Sequence, residues 1–228
     1  MPKTFVVGDI HGAYRALQQC LARSSFDYTR DHLISLGDVC DGWPETKQSI
    51  DELLRVKNLT YVLGNHDHWA LEWMKNGFQG DTWLAQGGTA TVASYAGPVP
   101  ESHIRFLSGA LPYYIHKNKL FVHAGIDPAI PVEKQGIDTF LWDRSLGQLT
   151  LESFFRESVG KITDFDEVYI GHTPVPYQKP LHACEVWMMD TGAGWSGVLS
   201  MMNITTKEIF TSDPVPGLYP GINGRKKF

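Results

Sequence analysis

The sequence predicts an α/β fold that opens as a β-α-β-α-β succession, and three observations predict it. Apolar, β-branched runs that close on Gly-Asp or Gly-Asn recur through the first third of the chain. Amphipathic stretches separate them, and strand-like runs return after residue 118. Runs of this length bounded by Gly read as buried strands, and apolar residues spaced three and four apart read as helices.

Taken in order, "TFVVGD" (4–9), "HLISLGD" (32–38) and "LTYVLGN" (59–65) are the first three strands, each ending in a polar residue. Between them, "AYRALQQCLARS" places Leu17 and Leu21 four apart, and "TKQSIDELLRV" places Ile50, Leu53 and Leu54 on one face. "HWALEWMKNGF" is helical in pattern, and the region 68–111 reads as a helical elaboration beside the crevice. Strand signals follow at 119–125, 166–172, 185–192, 197–204 and 207–213, several with short connections that predict a more antiparallel second half. Residues 1–213 thus read as one domain. Residues 214–228, rich in Pro and Gly, read as a loose tail.

Composition excludes several function classes. At 228 residues and 43% hydrophobic, the chain can bury a full core. A net charge of -5 supplies no basic field for tracking a nucleic-acid backbone. Cys20, Cys40 and Cys184 are odd in number and form no CxxC pair, so they read as small buried side chains in a reducing compartment. No run of about 18 apolar residues predicts a membrane span. The opening "MPKTFVVGDIHG" enters a strand pattern without a charged leader, so a cytoplasmic protein is expected. Nothing in the sequence bears on oligomeric state.

In βαβ units the C-terminal ends of parallel strands share one edge of the sheet. The polar residues that punctuate the strands should meet there: Asp9 and His11 in "GDIHG", Asp38 and Asp41 in "GDVCD", Asn65 and His66 in "GNHD", His123 in "VHAG" and His172 in "GHTP". Any one such motif can be an ordinary turn. Packing alone gives no reason for several to gather at one edge. Carboxylate, imidazole and amide donors without thiolate suit divalent first-row ions such as Mn, Fe or Zn, and the set is large enough for two.

Together these motifs resemble the calcineurin-like metallophosphoesterase superfamily, and within it the small bacterial and bacteriophage serine/threonine protein phosphatases of the PPP type. "WLAQGGTATVASY" (83–95), "LWDRS" (141–145) and "DTGAGWSGVL" (190–199) extend the resemblance over nearly the whole chain. It implies a four-layered αββα sandwich with mixed sheets and an active site at the C-terminal ends of the strands. It implies that Asp9, His11 and Asp38 hold one metal and that Asp38, Asn65, His123 and His172 hold the other, with Asp38 bridging. A metal-bridging hydroxide would attack phosphorus in line, with His66 as general acid, Asp41 fixing its ring and Arg144 clamping the phosphate. The competing readings are a helix cap near Pro44 for Asp41, and a surface ion pair with Asp143 or Asp164 for Arg144.

The implied function is a phosphomonoesterase acting on phosphorylated protein or small phosphoesters. Asp41, "LWDRS" and the "DTG" segment favour it. The alternative is a dinucleoside polyphosphate (diadenosine tetraphosphate-type) hydrolase, which relatives similar at "GNHD" and "VHAGI" suggest. A metal-binding module without turnover would require a lost acid or ligand. One departure stands out: the resembled phosphatases read GDxxDRG, and this chain has Gly42 in place of the arginine. The expectation is that Gly42 opens room for a bulkier substrate, with Trp43 as a stacking wall and Trp195 also at the entrance. The other account is that Lys47 or Arg55 reaches in.

Overall fold

The structure, a computed structural model, describes residues 1–225. The chain begins with β1 (Thr4–Val7), α1 (Tyr14–Arg23), β2 (His32–Ser35), α2 (Thr46–Leu53) and β3 (Asn58–Tyr61). A helical stretch follows: α3 (Asn65–Asn76), α4 (Asp81–Trp83), a π turn at Leu84–Gly88, α5 (Thr89–Ser94) and α6 (Glu101–Ser108). Next come β4 (Tyr113–His116), β5 (Lys119–Val122), α7 (Ile137–Trp142), α8 (Ser145–Phe155) and β6 (Glu167–Ile170). The chain closes with β7 (Leu181–Ala183), β8 (Val186–Met188), β9 (Ser200–Asn203), β10 (Ile209–Thr211) and α9 (Val215–Leu218).

The strands form two five-stranded sheets, ordered β10-β9-β1-β2-β3 and β4-β5-β6-β8-β7. β1, β2 and β3 are parallel, with Val6 opposite Ile34 and Ile34 opposite Thr60. In the second sheet β5, β6 and β8 are also parallel, and β4 and β7 pair antiparallel at its edges. The antiparallel pairing expected of short connections holds for β9-β10, but β8 and β9, also closely connected, lie in different sheets, and β5, β6 and β8 are parallel, with α7 and α8 forming a long crossover between β5 and β6.

Strand side chains alternate between faces, and here both faces are buried. Phe5, Val7 and Leu33 pack outward with Leu17, Ile50 and Leu53 of α1 and α2. Leu120, Val122, Val168 and Ile170 pack outward with Phe140 and Leu146 of α7 and α8. The intervening residues Val6, Ile34, Phe121 and Tyr169 meet between the sheets, where Phe121 and Tyr169 stack at 4.8 Å. Three apolar layers separate four layers of structure, helix, sheet, sheet and helix.

Residues 214–225 depart from the loose tail that their composition predicts. Val215 and Tyr219 are buried, and Tyr219 stacks on Trp43 at 5.1 Å while its hydroxyl accepts the Arg15 amide at 3.1 Å. Apolar residues at 215, 218 and 219 supply the burial that Pro and Gly composition conceals. Residues 226–228, the basic end of the expected tail, lie outside the described residues. Cys20 and Cys40 are buried, and Cys184 is partly exposed. Among the described residues no helix is long and apolar enough to cross a membrane.

Candidate metal centre and active site

Each motif residue leaves the C-terminal end of a parallel strand: Asp9 after β1, Asp38 after β2, Asn65 after β3, His123 after β5 and His172 after β6. Because the two sheets present these ends at one edge, the loops converge. The turns are sharp: His11, Asp38, Asp41 and His172 have φ of 50°, 51°, 71° and 60°. Left-handed backbone in a non-glycine residue costs roughly 1–3 kcal/mol, and it persists where the surroundings hold it. Two glycines permit the close approach. A Cβ on Gly64 would lie 2.1 Å from Asp38 Oδ1, and one on Gly171 would lie 2.1 Å from Asp9 Oδ1.

Asp67 holds the β2 loop in shape. Its buried carboxylate accepts the amides of Asp38 at 2.7 Å, Val39 at 2.9 Å, Cys40 at 3.2 Å and Gly64 at 3.1 Å, and the Tyr61 hydroxyl at 2.7 Å. Sequence reasoning left Asp67 without a role, although it stands in "GNHD" at the third position of α3, where a carboxylate meets free amides.

Two groups of donors lie close enough to hold ions: Asp9, His11 and Asp38, and Asp38, His123 and His172. All are buried, and Asp38 is shared. The imidazoles are oriented for coordination. His11 Nδ1 donates to the Cys40 carbonyl at 2.9 Å, which leaves the Nε2 lone pair 3.6 Å from Asp38 Oδ2 and 3.9 Å from Asp9 Oδ2. His123 Nδ1 donates to the Leu36 carbonyl at 2.8 Å, so Nε2 is an acceptor, yet it faces Asn65 Oδ1 at 2.9 Å. Two acceptors at that distance repel unless a cation lies near both. His172 Nδ1 stands 2.9 Å from the same Asn65 oxygen, and the buried His172 Nε2 has no hydrogen-bond partner among the described residues.

Electrostatics points the same way. Burial pushes the Asp38 carboxyl up to about 8, and burial with the nearby Asp190 and Asp38 carboxylates raises Asp9 well above its ordinary range. Burial lowers His11 and His172 well below the usual histidine range and His123 to about 4. Neutral imidazoles beside carboxylates that resist ionisation form a site that divalent cations would complete. The residues present fit two ions.

His66 stands beside this cluster, its ring 5.0 Å from that of His11. His66 Nδ1 and Asp41 Oδ2 are 2.7 Å apart, both buried. Asp41 is itself fixed: Oδ2 accepts the Trp83 indole N–H at 2.7 Å and Oδ1 accepts the Thr91 hydroxyl at 2.7 Å. Burial raises Asp41 to about 7, opposed by those two hydrogen bonds, and burial lowers His66. The helix-cap reading of Asp41 does not apply, because α2 begins at Thr46 and has no side-chain cap. Thr91 and Trp83 fall within the quoted 83–95 stretch, but nothing local marked them as partners of Asp41.

Arg144 is exposed at the rim, with Nη1 3.3 Å from the His172 carbonyl and 3.2 Å from Thr173 Oγ1. Among the described residues it pairs with neither Asp143 nor Asp164. The expectations around Gly42 need correction. Trp43 is 1% exposed, stacked on Tyr219 and bonded through Nε1 to the Ala193 carbonyl, so it offers no free ring face for stacking. Trp195 does line a cleft of about 580 Å³. Lys47 pairs with Asp51 at 2.7 Å and Arg55 with Glu52 at 2.9 Å, so neither reaches the site. The space beside Gly42 is filled instead by the stem of Arg225.

Residues 2–193 match the calcineurin-like phosphoesterase family. The chain is 30% identical over 210 residues to serine/threonine-protein phosphatase 1 of Salmonella typhimurium, covering 88% of this chain and 91% of that protein. A symmetrical bis(5'-nucleosyl)-tetraphosphatase of Coxiella burnetii is 37% identical over 68 residues, 30% of this chain and 23% of that one. A crystal structure of a provisionally assigned diadenosine tetraphosphatase superposes with a TM-score of 0.68 at 22% identity, covering 94% and 96% of the two chains.

Proposed function

The chain belongs to the calcineurin-like phosphoesterase family and is a phosphatase, and from that premise we propose a phosphomonoesterase that acts on phosphorylated protein or small phosphoesters. The observation that carries this reading is the buried His66–Asp41 pair set against two donor groups that share Asp38.

In this reading Asp9, His11 and Asp38 hold one ion, and Asp38, Asn65, His123 and His172 hold the other. When bound, such a pair supplies a nucleophilic water at neutral pH and offsets charge at phosphorus; the donor set suits Mn, Fe or Zn. Asp41 accepts the Nδ1 proton of His66 and fixes the tautomer, so that Nε2 is the atom that delivers a proton to the leaving oxygen. Trp83 and Thr91 keep the Asp41 carboxylate from turning away. Arg144, exposed and held near His172 and Thr173, offers guanidinium N–H groups to phosphate oxygens.

A second reading, hydrolysis of dinucleoside polyphosphates, draws on the Coxiella relative and on the open cleft beside Trp195. The monoesterase reading is preferred because the serine/threonine phosphatase relative matches over most of both chains, whereas the tetraphosphatase match covers 30% of this one. The test is one panel of Mn-loaded protein with aryl phosphate, phosphoserine, phosphothreonine and phosphotyrosine peptides and diadenosine tetraphosphate. The proposal expects kcat/KM to be highest on monoesters. Preference for the dinucleotide by tenfold or more would overturn it.

A further inference from the structure

Arg225 comes from the C-terminal segment and sits half-buried beside the site, 214 residues in sequence from the histidine it meets. Its Nε donates to the Gln86 carbonyl at 3.2 Å, Nη2 donates to Gln86 Oε1 at 3.2 Å, and Nη1 stands 3.1 Å from His11 Nε2. The guanidinium lies over the Trp195 ring at 4.4 Å, and the Arg225 amide donates to the Gly194 carbonyl at 2.8 Å. Three glycines form the slot. A Cβ would lie 3.0 Å from the Arg225 stem at Gly42, 3.3 Å from it at Gly87 and 3.2 Å from it at Gly194. Gly42 and Gly87 have φ of +113° and +114°, so side chains there would also strain the backbone.

This guanidinium is a half-buried cation without a directly bonded counter-ion. Among the described residues no carboxylate lies within 4.0 Å of it, although Asp38, Asp190, Asp41 and Asp9 all face it from further away. Two divalent ions on Asp9 and Asp38 would take up the charge of those two carboxylates and leave the guanidinium freer to meet another anion. An ion on His11 Nε2 would also take the lone pair that Nη1 now meets and so release that N–H. The guanidinium opens onto the 580 Å³ cleft, where Arg225 is the charged lining residue. A forked donor between a cation site and a cleft suits a phosphate dianion.

We propose that Arg225 binds the substrate's phosphate, delivered by the C-terminal segment to the position beside Asp41 that Gly42 leaves without a side chain. The inference rests on the phosphatase reading above for the identity of the anion. Arg225 from the C-terminal segment and Arg144 from the turn before α8 then both approach the phosphate, and the enzyme depends on residues 214–225 for substrate affinity.

The experiment measures binding of inorganic phosphate to Mn-loaded full-length protein by calorimetry, together with Mn stoichiometry and KM for an aryl phosphate. Arg225→Ala should weaken phosphate and raise KM by about 10- to 100-fold, as expected for a lost charge-assisted hydrogen bond, with Mn stoichiometry unchanged. Arg225→Lys should fall between, and millimolar guanidinium should restore part of the loss in Arg225→Ala. If the alanine variant does not fold, Gln86→Ala keeps the cation but removes its Nη2 anchor and should weaken phosphate several-fold. Phosphate affinity within twofold of wild type in the folded variants would overturn the proposal and leave Arg225 a packing residue. Tighter Mn binding with faster turnover in Arg225→Ala would also overturn it, because the tail would then be a plug. Phosphate binding is read without turnover, so a wild-type protein that binds phosphate but hydrolyses no ester would sink the phosphatase reading and not this one.

Discussion

His66 and Asp41 show how far single residues can be read. "GNHD" and "GDVCD" place a histidine and a carboxylate at neighbouring strand ends, and the structure sets them 2.7 Å apart. What no local pattern shows is the shell behind them: Thr91 and Trp83 reach Asp41 from the helical region 42 to 50 residues away. His66→Asn should keep fold and metals while lowering kcat by about 10²- to 10⁴-fold on alkyl phosphates, and by much less on nitrophenyl phosphate. The nitrophenolate leaves with little need of a proton. Equal losses on both esters would remove His66 as the acid. Thr91→Ala should give a milder loss of the same kind by freeing one Asp41 oxygen. An unchanged ratio between the two esters would show that Asp41 needs no such support.

At the scale of elements, the β2 loop depends on α3. Asp67 at the first turn of α3 accepts four backbone amides and one hydroxyl, and the Asp38 amide is among them. Asp67→Ala would leave buried N–H groups without partners, each at a cost of about 1–3 kcal/mol. Urea unfolding should show a loss of at least about 3 kcal/mol and, in the protein that still folds, weaker Mn binding. A loss below about 1 kcal/mol would mean that water replaces the carboxylate readily. The same scale explains what the sequence concealed. Five strand ends announce themselves because apolar runs closed by Gly are local signals. β4 and β7 carry weaker signals, since Tyr113–His116 is part exposed and Leu181–Ala183 has three residues. Residues 214–225 read as loose because composition reports propensity, whereas Val215 and Tyr219 gain their order from burial against α1 and Trp43.

For the whole molecule, two sheets bring strand ends from both halves of the chain to one edge, so the Asp38, His123 and His172 group exists only when both sheets are folded. That convergence was legible because parallel βαβ units fix which end of each strand faces the crevice. Arg225 was not legible: it meets His11 only through the closed fold, and the Gly42 departure signalled a missing cation without saying what fills the gap. The unpartnered His172 Nε2, the facing acceptors of His123 and Asn65, and the raised Asp9 and Asp38 carboxyls together describe a site built around two positive ions. The most direct test is Mn titration of chelator-stripped protein, with bound ions and phosphatase activity followed together. The account predicts two ions per chain, activity that returns as they bind, and loss of both in Asp38→Asn. Full hydrolysis by metal-free protein, or two ions held by Asp38→Asn as tightly as by wild type, would contradict it.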